Sequence, residues 1–98
     1  MNNKEKITQA VYLAIDEVNT MLPRDEQLSK SLDFVMSGNI SGLDSLQLMN
    51  LIVAVEQQVE IHLNESILLA DERAMIYEPS PFSTIGALID YIEIVLYK

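Results

Sequence analysis

Few residues of this chain are placed to do chemistry, and one serine stands apart from the rest. Ser45 follows Gly42-Leu43-Asp44 and opens the run Leu46-Gln47-Leu48-Met49-Asn50-Leu51. Gly42 lets the chain turn sharply, because it has no Cβ to disfavour positive φ. Asp44 is a favoured N-cap, and Gln47 three residues on makes a capping-box-like pair with it. Ser45 then falls at the first helical position, where unpaired backbone N–H groups and the positive end of the helix dipole favour an anion. Its hydroxyl is suited to carry a phosphodiester. A nucleophilic serine would instead need a base within about 3 Å and an acid to orient it. The single histidine, His62, lies 17 residues further on. Along one continuous helix that is about 25 Å at about 1.5 Å per residue, which rules the pair out as a catalytic couple.

The other chemically capable groups read as ordinary. His62 suits a helix C-terminus, where a cationic ring is compatible with the dipole. One histidine and no cysteine make a poor transition-metal site, so no metal site is expected. Mg²⁺ or Ca²⁺ near the carboxylates would be surface screening. Without cysteine there is no disulfide framework, and any thiol chemistry must come from an attached group. The five methionines are read first as core filler.

The elements that must position Ser45 are helical. From Lys4 to about Thr20, Ile7, Val11, Ala14, Val18 and Met21 or Leu22 recur at helical spacing, with Asn2 or Asn3 as cap and Pro23 as the stop. Residues 23–43 form a long loop whose Leu28, Leu32, Phe34, Val35, Met36 and Ile40 should pin it to the body, with a short helical turn near Asp25–Leu32. The second helix runs from Ser45 to about Ile61. Leu48, Leu51, Ile52, Val55 and Val59 form its inner stripe, while Leu46, Met49 and Val53 form a second strip on another face. That strip, with Glu56, is the candidate docking face; the competing reading is a helix buried nearly all round. Asn64 is expected to cap a short third helix through Ile67-Leu68-Leu69, reaching toward Met75, with Arg73 near Asp71, Glu72 or Glu78. Pro79 and Pro81 end it. Ser83 or Thr84 caps the last helix, where Ile85, Leu88, Ile89, Ile92, Val95 and Leu96 keep a 3.6-residue period; Gly86 in its first turn implies close packing. The sum is an all-α fold: one domain over residues 1–98, built as a small antiparallel bundle of three main helices plus one short helix.

Gly-x-Asp-Ser-Leu at a helix start, an apolar helix after it, and a final Pro-Phe-Ser-Thr-Ile-Gly-Ala-Leu-Ile-Asp-Tyr-Ile resemble the acyl carrier proteins and related peptidyl carriers. The matches cover most of 41–61 and 79–94. The resemblance implies a 4′-phosphopantetheine arm on Ser45, with Asp44 and Leu46 as its motif neighbours. It implies a carrier that is not an enzyme, which holds acyl groups as thioesters. Its partners would be a phosphopantetheinyl transferase and acyl-transferring and acyl-modifying enzymes, meeting a docking face of Leu46, Met49, Val53 and Glu56. The fatty-acid-synthesis type has a heavily acidic exposed face on this helix. Here Gln47, Asn50, Gln57 and Gln58 stand there with Glu56 and Glu60, so docking should lean on apolar and amide contacts. The interval around Asp71–Met75 looks like a branch serving specialised lipid or polyketide pathways. Two other readings stay open: a peptidyl or aminoacyl carrier, and an unmodified acidic helical adaptor.

Composition agrees with a small acidic partner-binding domain. The net charge is −9 over 98 residues, which excludes a nucleic-acid binder that works by neutralising phosphates. From Ser31 to Glu72 the chain has Asp33, Asp44, Glu56, Glu60, Glu65, Asp71 and Glu72 but no lysine or arginine. That field would steer basic partner surfaces toward this part of the molecule. No run of 18 apolar residues is present and the start lacks a signal-peptide pattern, so a cytoplasmic monomer without membrane insertion is expected.

Overall fold

The computed structural model describes residues 2–35, 45–69 and 81–97, with Glu26, Ser45 and Leu46 described by backbone alone. Within these residues the structure is helical. Helix α1 spans Asn3–Asn19. Asn2 caps it: its Oδ1 accepts from the Glu5 N–H at 2.8 Å, and its Nδ2 donates to Glu5 Oε1 at 3.2 Å. This reciprocal pair satisfies an orphan donor of the first turn. One face buries Ile7, Ala10, Val11, Ala14, Ile15 and Val18. Beyond the helix the core takes Leu22 and leaves Met21 66% exposed.

Helix α2 spans Ser45–Leu63 and α3 spans Ile85–Tyr97. The expected inner stripe of α2 is buried at Leu51, Ile52, Val55 and Val59, with Leu48 packed against the core at its edge. On α3, Ile85, Leu88, Ile89, Tyr91 and Ile92 are buried, while Val95 and Leu96 are partly covered. Lys6, Gln9 and Leu13 of α1 share a surface hollow with His62 at the end of α2, and Glu17 near the end of α1 accepts from Gln58 Nε2 at 3.3 Å. Lys4 also reaches α3, pairing with Asp90 at 3.1 Å.

Asn64 does not begin a helix; it ends one. Its φ of 58° is left-handed, and its N–H donates to Glu60 O at 3.1 Å, which closes the last turn of α2. Asparagine is favoured both at N-caps and in left-handed C-terminal positions. Residues 64–69 have no helical turn. They run as a strap in which Ile67 and Leu69 join the core while Leu68 points outward at 60% exposure. The extension toward Met75, Arg73 and its acidic neighbours lie outside the described residues, as do Met36, Ile40, Gly42 and Asp44.

The first loop is pinned, partly by the anchors its sequence suggested. A short 3-10 turn occupies Arg24–Glu26. The Asn19 side chain then grips Leu28 twice: Leu28 N–H donates to Oδ1 at 2.7 Å, and Nδ2 donates to Leu28 O at 3.0 Å. Leu28 is buried and Phe34 packs against the core, whereas Leu32 and Val35 are exposed. Those two are held through their backbones. Ile85 N–H donates to Phe34 O at 3.1 Å, Gly86 N–H donates to Leu32 O at 2.9 Å, and Val35 forms an isolated antiparallel bridge with Thr84. The close packing implied by Gly86 is real. A Cβ there would lie 3.2 Å from Leu32 O.

Candidate functional site

Ser45 is the first residue of α2, and the helix continues unbroken to Leu63. The position matches the sequence expectation for the helix start; Asp44, its expected cap, lies outside the described residues. The first turn of α2 has no acidic residue, so no carboxylate in that turn opposes an anion at its N–H groups. His62 stands in the last turn of the same helix and is exposed. Ser45 and His62 are thus held apart by nearly the whole helix, and they form no catalytic pair.

The side of α2 away from the core is open. Met49 and Val53 are 47% and 42% exposed, which removes the reading of a helix buried all round. Asn50, Gln57 and Glu60 are exposed as well, while Gln47 and Gln58 are half-buried. For Leu46 the helical backbone places the residue one step after Ser45. Val53 also lines a shallow groove of about 210 Å³ with Asn50, Ala54 and Gln57 of α2 and with Glu17, Val18 and Met21 at the end of α1. Met21 was not singled out as part of this face by the sequence. Its helical phase was shared with Leu22, and only the packing separates the two.

Glu56 differs from its neighbours. It is half-buried, and its Oε2 accepts the Leu69 N–H at 2.7 Å. The carboxylate ties α2 to the strap that follows it, at the edge of the Met49–Val53 face. Nothing local in the sequence marks this contact, because its partner is a backbone group 13 residues away. Among the described residues, no cluster of three histidine or acidic side chains is arranged to hold a metal ion, and no helix is long and apolar enough to cross a membrane. Comparison of the chain with protein-family models, curated proteins and solved structures finds no match.

Proposed function

We propose that this chain is an acyl carrier protein in which Ser45 carries a 4′-phosphopantetheine arm. The observation that supports this most is the placement of Ser45 at the first position of a 19-residue helix, within Gly42-Leu43-Asp44-Ser45-Leu46. A phosphodiester on that hydroxyl would sit by the N–H groups of the first turn, at the favourable end of the dipole. The arm would supply the thiol that the cysteine-free chain lacks and hold acyl groups as thioesters. The chain's own part is to present the attachment residue on a rigid element and to be recognised. Tethering replaces free diffusion of the intermediate with protein–protein docking and a high effective concentration.

The docking face in this reading is Leu46, Met49 and Val53, with Glu56 at its margin. Exposed methionine and valine beside Asn50 and Gln57 suit a partner that offers apolar and amide contacts more than a dense array of cations. A specialised acyl pathway accords with that surface. The hollow shared by Lys6, Gln9 and Leu13 with His62, the Glu17–Gln58 contact and the core shared with α3 suit an antiparallel bundle of carrier type.

The test is direct. The purified chain is incubated with coenzyme A, Mg²⁺ and a broad-specificity phosphopantetheinyl transferase, and its intact mass is measured. One phosphopantetheine should be added to the parent and none to Ser45→Ala. An unmodified parent, or a Ser45→Ala variant that still gains the mass, removes the carrier assignment and leaves an acidic helical adaptor.

A further inference from the structure

We infer that residues 64–69 form a strap that opens from the core independently of the three helices, and that the Glu56 carboxylate is the latch holding it shut. This goes beyond the carrier reading and stands without it, since it concerns the unmodified chain.

Three observations carry the inference. The strap is marked off from α2 by a turn, because Asn64 leaves the helix in the left-handed region at φ 58°. It has no regular structure of its own, so it lacks the internal hydrogen bonds that make a helix open as one unit. Finally, among the described residues its hold on the body lies at its far end. Asn64, Glu65, Ser66 and Leu68 are exposed, Ile67 and Leu69 enter the core, and the Leu69 N–H donates to Glu56 Oε2 at 2.7 Å. A charge-assisted bond to a backbone N–H is stronger than a neutral one, and here it sits directly behind the fully buried Leu69 side chain. Neither ion pair among the described residues engages Glu56; they join Lys4 to Asp90 and Lys30 to Asp16. Its described partner is the backbone N–H of Leu69 in the strap. Opening would withdraw Leu69 and expose core surface one turn from Val53.

The absence of cysteine gives a clean probe. A single thiol introduced by Leu69→Cys is labelled with a maleimide in three backgrounds: parent Glu56, Glu56→Gln and Glu56→Ala. Amide exchange at Ile15 and Val55 is followed in each background to register opening of the whole fold. Labelling should be at least tenfold faster with Glu56→Ala than in the parent, with Glu56→Gln between them because its amide oxygen still accepts. Exchange at Ile15 and Val55 should stay within twofold. As a check free of the introduced thiol, exchange of the Leu69 amide in the cysteine-free chain should accelerate in the same order. Labelling with Glu56→Ala within twofold of the parent would overturn the latch. So would equal acceleration at Ile15 and Val55, since the strap would then open only with the entire core.

Discussion

Asn19 shows how much a single polar side chain can fix in a small fold. It is the last residue of α1, and it offers Leu28 both an acceptor at 2.7 Å and a donor at 3.0 Å, as a neighbouring strand would. Its own carbonyl accepts from Gln27 Nε2 at 3.3 Å. Leu28 is buried, so its backbone groups lie where replacement by water is incomplete. Leaving such groups unpaired costs about 1–3 kcal/mol. Asn19→Ala should therefore lower unfolding stability by about that amount, and Asn19→Asp, which keeps the acceptor but loses the donor, should fall between. Urea unfolding of the three proteins checks this, with an unchanged m-value showing that the loss is in stability. Equal midpoints would mean that the loop is held by Leu28 alone. Ser45 and Asn19 also differ in how they could be read. The first announces itself through near neighbours, while the second acts on a residue nine positions away that no local pattern selects.

The N-terminus of α3 accounts for its backbone donors one by one. Ile85 N–H goes to Phe34 O, Gly86 N–H to Leu32 O, Ala87 N–H to Thr84 Oγ1 at 3.1 Å, and Leu88 N–H to Thr84 O at 3.0 Å. The first loop thus completes a helix cap, and glycine at 86 permits the approach. Gly86→Ala gains about 1 kcal/mol of helix propensity but brings a Cβ to 3.2 Å from Leu32 O, so its net effect should be small. Gly86→Val adds two methyl groups beyond the alanine Cβ, with a restricted rotamer, and should cost about 1–3 kcal/mol as overpacking. Thermal melts of the two variants test the ordering, and a valine variant as stable as alanine would show that the loop yields freely. The helices themselves were legible because apolar periodicity is a local signal: most positions the spacing selects are buried, and Ala10, Ile15, Ala54 and Tyr91 widen the stripes beyond them. The first-loop anchors were only half legible. Leu28 and Phe34 enter the core, yet Leu32 and Val35 are held by backbone contacts to α3 that side-chain type does not encode. Asn64 was misread because one residue type serves both helix ends. The position of Ser45 at the start of α2 was legible, whereas the strap and its Glu56 tie depend on non-local pairing.

At the scale of the whole molecule, charge outweighs any single contact. A net −9 is carried on a body of 36 × 27 × 20 Å, so no two carboxylates are far apart. Near 0.01 M salt the screening length of about 30 Å exceeds two of those dimensions, and nearly every acidic group repels every other. Near 0.1 M it falls to about 10 Å, and only close neighbours still interact. The unfolded chain spreads the same charges over a larger volume, so repulsion weighs more heavily on the folded state and screening must favour folding. The two ion pairs among the described residues work in the opposite direction, but both are solvent-exposed, and such pairs contribute under about 1 kcal/mol each. Repulsion should prevail. A gain of about 1 kcal/mol between 0.01 and 0.15 M NaCl corresponds to a rise in Tm of about 4–8 °C for a domain of this size. Because the expected action of Mg²⁺ is screening, MgCl₂ at matched ionic strength should add little beyond NaCl. Calorimetric melts at pH 7 read both effects. A Tm that falls or stays flat with salt would show that the ion pairs outweigh the acidic field, and a large excess effect of Mg²⁺ would show a carboxylate cluster acting as a site instead of a diffuse surface.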